Sequence, residues 1–308
     1  MRVAAAHLSV LRHNPKVTVG AAMFAATVLV GVLHGQIVSF LGHGQNPLAL
    51  GYGPKFQPPS HQYLLGTDQV GRDELALLVT GLWSSLLVGF MAGVIGTVIS
   101  VVIAFSAAYI GGVVDTVLAT VTDLFMVVPI FPLLIAFAAF AGSISIPEIA
   151  IVLGIFSWAG AARRIRSHVL SLRSRAYVDL ARVNKQGTVE IIFLELAPNM
   201  LPYLILGLDF AFLGAIGALV GLEVIGLGPG SVIDLGQLIN AAITNGALST
   251  GVWPMFAGPI FLITVLFFSL MLINMGLEEI SNPRLRKVAG ARSMAAPLST
   301  IRREAAPR

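Results

Sequence analysis

Residues 82–110 read LWSSLLVGFMAGVIGTVISVVIAFSAAYI, an apolar run that is too long for a barrel strand and lacks a strand's alternation. A helix needs about 20 apolar residues to cross hydrocarbon, so this run predicts a membrane-spanning helix. Working outward, five more windows of that kind cover residues 17–41, 124–141, 146–162, 200–222 and 252–277. The composition agrees. Hydrophobic residues make up 56% and charged residues 11%, whereas a soluble domain carries about 25% charged residues. The expected fold is an all-α membrane protein with six transmembrane helices.

Seventeen of the 19 Lys and Arg fall into three segments. Arg2, Arg12 and Lys16 lie at the head, and Arg163, Arg164, Arg166, Arg173, Arg175, Arg182 and Lys185 lie between the fourth and fifth windows. Arg284, Arg286, Lys287, Arg292, Arg302, Arg303 and Arg308 follow the sixth. Six crossings put these segments on one side, and the positive-inside rule makes that side the cytoplasm, with both termini. Charge that tracks loop parity explains the net +4 as topology. Membrane lipid is therefore an expected contact and nucleic acid is not. The chain has no cysteine, which excludes disulfides and thiolate metal sites. Its six histidines show no metal-ligand spacing, so no metal site is expected. The head is long and has no small-residue cleavage site, so it reads as a retained span and not a signal peptide.

Four regions follow. Residues 1–41 form a cytoplasmic head with the first span, and residues 42–80 form an external segment whose Gly and Pro disfavour regular structure. Residues 81–280 form the transmembrane unit, interrupted by a polar loop at 163–199. Residues 281–308 form a basic cytoplasmic tail. Gly89, Gly93 and Gly96 in the second span, and Gly207, Gly214, Gly217 and Gly221 in the fifth, suit close helix approach in lipid. Pro129 and Pro132 should kink the third span.

The polar loop carries the strongest signal. Tyr177, Leu180, Ala181 and Asn184 fit one face of a short helix. Gly187 then permits a break, and Thr188 with Glu190 suits the start of a second helix as cap and dipole partner. Pro198 and Pro202 mark the beginning of the fifth span. A short helix across the mouth of a bundle can carry a push from a motor protein. Taken alone, the pattern suits equally an interfacial helix anchored by arginine at lipid headgroups.

Two motifs decide between these readings. Tyr177, Val178, Asp179, Leu180, Ala181 and Arg182, then Ile191, Ile192, Phe193, Pro198, Asn199, Leu201 and Pro202, resemble the EAA loop of ABC importer permeases. Asp179 stands for the family's Glu and Leu180 for an Ala. The family's glycine position falls on Lys185, with Gly187 two residues on. At residues 65–73, LGTDQVGRD is similar to a signature of the C-type permease subunit of dipeptide and oligopeptide importers. Read from its residues, Gly66 and Gly71 allow tight turns. Asp68 and Asp73 flank Arg72 for charge-assisted hydrogen bonds, Thr67 completes the motif, and Asp73 with Glu74 suits a helix start. A structural staple is its expected role. Further matches run from Ser85 and Gly89 through Gly111, Asp115, Asp123 and Pro129 to Gly221, Gly226, Gly228 and residues 282–286. Leu77, Trp83 and Thr120 stand where the family commonly has arginine.

The resemblance implies a type I ABC importer permease in the bacterial cytoplasmic membrane. Tyr177, Val178, Asp179, Leu180, Ala181, Arg182, Lys185 and Gly187 would then form the element that docks on an ATPase. It also implies a second homologous permease subunit, two ATPase subunits or a fused ATPase, and an external substrate-binding protein or lipoprotein. The chain contains no P-loop motif. ATP and magnesium would therefore be used by the partners, and this chain would bind no cofactor and hold no catalytic residue. The implied cargo is di- or oligopeptide. Residues 221–228 and 245–253 also resemble a branch associated with oligosaccharides, and nickel is a further option. Asp209 is the carboxylate deep in a span, where a charge costs about 2.5–3.5 kcal/mol. It must face a partner helix or a wet cavity, and is the candidate pathway group. Readings from other classes are an ion-coupled carrier in which Asp209 titrates, and a structural or signalling membrane protein.

Overall fold

The computed structural model describes residues 14–141, 145–228 and 232–281. Arg2, Arg12, His7, His13, the basic tail and the match at 282–286 lie outside them. Among the described residues every regular element is a helix. Asn14 caps α1 (Pro15–Val32) by accepting the Lys16 N–H at 3.0 Å. A break at Leu33 separates α1 from α2 (His34–Gly42), so the window expected at 17–41 is two helices. α3 (Glu74–Ile110) starts well before the expected residue 82, because Asp73 caps it by accepting the Ala76 N–H at 2.9 Å.

The third span departs most from expectation. α4 (Gly112–Val127) and α5 (Ile130–Ala141) meet at a bend of 73°. Pro129 stands at the break and forces the preceding Val128 out of helical conformation, to φ −64° and ψ 119°. Pro132 sits in the first turn of α5, where a missing N–H leaves no helical bond unmade. Only one of the two prolines therefore redirects the chain. Among the described residues, five continuous helices are long and apolar enough to cross a membrane, and the expected six are reached when the bent pair is counted as one span.

α6 (Ile146–Arg173) runs past the expected end at 162 and takes Arg163, Arg164, Arg166 and Arg173 into helix. The polar loop accordingly begins only at Ser174. After α7 (Ala176–Val183) and one turn at Thr188–Glu190, a π-helical stretch, Ile191–Leu196, leads without interruption into α8 (Ala197–Val224). The wide turns absorb Pro198: the Ala197 N–H reaches back to the Ile192 carbonyl, five residues away. Then come α9 (Leu235–Thr244) and α10 (Pro254–Ser281).

α3 is the central helix, with α6 packed along it and α8 crossing it. A Cβ added at Gly154 of α6 would lie 2.7 Å from the Ile95 side chain and 3.1 Å from the Ala92 carbonyl; one at Gly93 would lie 3.3 Å from the Phe212 backbone. Lipid gives helices little hydrophobic reason to associate, so this close approach supplies the packing. Of the four glycines of α8, Gly221 is packed closely as expected, a Cβ there lying 3.0 Å from the Phe131 ring, but the other three are not. A Cβ at Gly214 would meet nothing within 4 Å, and those at Gly207 and Gly217 only one side chain each, at 3.9 and 3.8 Å. They leave an open face on α8. α1 lies against α10, where Gly276 receives Val17. The Asn14 side-chain amide donates to Glu279 at 3.2 Å, next to a Lys16–Glu279 ion pair. The start of α1 and the end of α10 thus share one end of the bundle.

Candidate functional site

With 37 residues, α3 is roughly 55 Å long at 1.5 Å per residue, well beyond the ~30 Å of bilayer hydrocarbon. Its C-terminal turns and those of α6 form a platform of Ala104, Phe105, Ala108, Ile165 and Val169. α7 packs against the Ile191–Leu196 stretch, and its Val178 and Ala181 are buried in the one cluster that this platform shares with Ile191, Leu196 and Met200. The face expected from the sequence was Tyr177, Leu180, Ala181 and Asn184, and it is rotated from the real one. Leu180 is 61% exposed and Asn184 is exposed, while Val178 is fully buried. Ile191, Leu196 and Met200 complete the same buried cluster, and Leu180, two residues or about 200° round the helix from Val178, points away from it. The outward face therefore carries Asp179, Leu180, Arg182 and Val183, the last 77% exposed. Arg182 pairs with Asp179 at 3.1 Å, and its guanidinium lies 5.7 Å from the Tyr109 ring centre. The Tyr177 hydroxyl is enclosed without a hydrogen-bond partner; burial pushes it up from its ordinary range. It borders a polar cavity of about 630 Å³ with His168, Arg175, Asn199 and Tyr203.

The end of α7 explains the displaced glycine. Lys185 has φ 59°, its N–H bonds the Arg182 carbonyl at 2.9 Å, and the Gln186 N–H bonds the Ala181 carbonyl at 3.2 Å. These two bonds form the helix-ending motif that places a left-handed residue just past the cap, a position glycine usually occupies. The break is therefore made at Lys185. Gly187 has φ −71° and ψ 157° and uses no conformational freedom peculiar to glycine. It precedes the next helical turn as the cap residue, where Thr188 was expected, and its N–H is 3.4 Å from the Glu190 carboxylate.

The arginines of α6 hold this platform together. Arg166 makes a bidentate pair with Asp115 of α4, both contacts at 2.6 Å. Arg163 pairs with Asp123 of α4. Arg173 donates to the Ala108 carbonyl at 2.7 Å and so caps the C-terminus of α3. Sequence reasoning left these partners unassigned. The signal available was an acidic pair on α4 facing basic residues three apart on α6, invisible until α6 was known to continue past 162. Of the three positions lacking the family's arginine, Leu77 is buried in apolar packing, Trp83 stacks on His34 at 5.3 Å, and Thr120 bonds its own helix at the Thr116 carbonyl.

At the opposite end of α3, residues 65–73 form a compact turn. Asp68 accepts the N–H groups of Val70 and Arg72 at 2.9 and 2.8 Å, and the Arg72 Nε at 2.6 Å. The Thr67 hydroxyl donates to the Pro54 carbonyl and accepts the Gln57 N–H at 2.9 Å. Gly66 and Gly71 have φ +88° and +81°, and a Cβ at either would fall within 2.3 Å of the carbonyl of Gln57 or Gly53. Burial pushes the Asp73 carboxyl up, opposed by the N–H groups of Ala76 and Leu75. This turn and the α7 elbow thus lie a helix length apart. Asp209 lies between them on α8, buried, with no hydrogen bond to its carboxylate oxygens. Its polar neighbour is Asn274 of α10, close but outside bonding geometry. Asp234 caps α9 by accepting the N–H groups of Gly236 and Gln237 at 2.7 and 3.1 Å. Glu223 lies beside it, pressed against Gly228. Among the described residues, no three His, Asp or Glu side chains gather as a metal site.

Known proteins share this architecture. The family described as "Binding-protein-dependent transport system inner membrane component" matches residues 75–287, from the first turns of α3 to beyond α10. The oligopeptide transport system permease protein OppC of Lactococcus lactis subsp. lactis (strain IL1403) is 26% identical over 228 residues, 74% of this chain and 77% of its own. OppC of Mycobacterium tuberculosis (strain ATCC 25618 / H37Rv) is 29% identical over 243 residues, 78% and 82% of the two chains. A family match from α3 through α10 sets aside the ion-coupled carrier and the structural protein as classes. This chain belongs to the inner membrane permease components of binding-protein-dependent ABC transport systems.

Proposed function

We propose that the chain imports di- or oligopeptides across the bacterial cytoplasmic membrane, with α7 as its contact to the motor. Its partners are a second homologous permease, two ATPase subunits or a fused pair, and an external binding protein or lipoprotein. The α7 end faces the cytoplasm, as do both termini, and residues 42–80 face outward to meet the binding protein. ATP and magnesium act on the ATPases, and this chain carries force and cargo without a cofactor of its own. The observation that carries the reading is the outward face of α7. Asp179, Leu180, Arg182 and Val183 are exposed, while Val178 and Ala181 are buried in a cluster shared with the Ile191–Leu196 stretch and the ends of α3 and α6.

Closure of the ATPase pair on ATP would push α7, and the buried anchor would pass that displacement to the long ends of α3 and α6. These helices are rigid and continuous into the bilayer, so the push opens the pathway outward. Hydrolysis resets it. The peptide reading is supported by the printed names of the relatives and by the match at residues 65–73.

The test uses the assembled transporter with its binding protein in proteoliposomes. Leu180→Glu and Val183→Glu change exposed side chains, and should lower labelled-peptide uptake about tenfold or more while the permease pair still assembles. Unaltered uptake in both variants would overturn the docking role of α7. Uptake of an oligosaccharide or nickel in place of peptide would overturn the cargo.

A further inference from the structure

The arginines of α6 are not equivalent. Arg163, Arg166 and Arg173 each meet a carboxylate or a carbonyl. Arg164 meets neither among the described residues; its guanidinium lies over the Phe210 ring of α8, 5.1 Å from the centre. It borders a cavity of about 410 Å³ between α5, α6 and α8, with Phe131, Ser157, Gly160, Phe210 and Gly214. Arg164 is the only charged group in that lining. The glycines keep the space open. A Cβ at Gly214 would meet nothing within 4 Å, and one at Gly160 would meet only Arg164 itself, at 3.9 Å.

We propose that Arg164 reads the C-terminal carboxylate of the peptide on the wall of the translocation path. This inference rests on the peptide-permease reading above. An aromatic face is worth about 0.5–2 kcal/mol to a cation and leaves the guanidinium N–H donors without acceptors. A carboxylate satisfies them in bidentate geometry, and Arg164 is exposed and so open to such a partner. The cavity falls within the ~300–1,000 Å³ typical of small-ligand sites. Phe210 also gives the guanidinium a resting position once cargo moves on, which a pathway needs and a permanent ion pair would deny. Asp209, the neighbour of Phe210, points elsewhere, toward Asn274, and so does not neutralise Arg164.

The experiment compares one peptide as free acid and as C-terminal amide, chosen so that the binding protein holds both equally by calorimetry. Uptake is measured in proteoliposomes carrying the complete transporter with wild type, Arg164→Gln or Arg164→Lys. The acid-to-amide uptake ratio is read, because it does not depend on how much complex assembles. Arg164→Gln should lower that ratio about tenfold, the size of a charge-assisted hydrogen bond, and Arg164→Lys should recover most of it. A ratio unchanged in Arg164→Gln overturns the inference and leaves Arg164 as an anchor for lipid phosphate or for the second permease. Failure of wild type to take up either peptide overturns the peptide reading, and this inference with it.

Discussion

Lys185 holds φ 59° at the end of α7, a conformation in which a Cβ crowds the following carbonyl at a cost of about 1–2 kcal/mol. Lys185→Gly should therefore stabilise the purified transporter by about 1 kcal/mol in thermal unfolding. Gly187→Ala should change it by less than about 0.5 kcal/mol, because that backbone is extended and a Cβ there has open space. A larger loss for Gly187→Ala than gain for Lys185→Gly would mean that the turn is made elsewhere. The Asp115–Arg166 pair admits a second measurement. Its bidentate geometry at 2.6 Å and its partial burial predict a coupling of about 1 kcal/mol or more between Asp115→Asn and Arg166→Met in a double-mutant cycle. Coupling near zero would show that solvent screens the pair.

Glycine marks both a close helix contact and an open helix face. At Gly154, α6 and α3 touch so closely that a side chain must displace Ile95 or the Ala92 carbonyl. Gly154→Val should cost about 1–3 kcal/mol and lower the yield of assembled complex. Gly214→Ala on the open face of α8 should leave stability within about 0.5 kcal/mol. Equal tolerance at both positions, read by thermal unfolding and size exclusion, would contradict the packing described. The bend between α4 and α5 is a junction of another kind: Pro129 ends one helical direction and the next begins at 73° to it. The charged pairs join α4, ahead of that bend, to α6.

The central helix α3 is long compared with a bilayer, and its two ends carry different structures. One end carries the Thr67–Asp73 turn that caps α3, and the other carries α7 seated on the projecting ends of α3 and α6. α1 and α10 meet through Lys16 and Glu279 at one end. The chain has no cysteine, so single-cysteine labelling has no background within it. Asn184→Cys should react with an impermeant maleimide only after cells are opened, and Gln62→Cys in intact cells. The reverse pattern would invert the topology and remove α7 from any cytoplasmic motor.

What the residues announced unaided was the helical class with its apolar runs, the charge asymmetry and the two motifs, because each rests on local chemistry. Hydrocarbon length selects apolar runs, arginine selects one side of a membrane, and Gly66, Asp68, Gly71, Arg72 and Asp73 complete their contacts within a few residues of one another or of the adjoining 53–57 segment. Folding in three dimensions decided everything that depends on a neighbour far along the chain. It made α6 continue through four arginines, because Asp115, Asp123 and the end of α3 receive three of them. It turned Val178 inward and Leu180 outward, because an apolar cluster that includes Ile191, Leu196 and Met200 receives the Val178 side of α7. It left Arg164 over Phe210 with an open cavity beside it. Periodicity reports that a helix has a face; which residues lie on it is settled by the shape of the surface it meets.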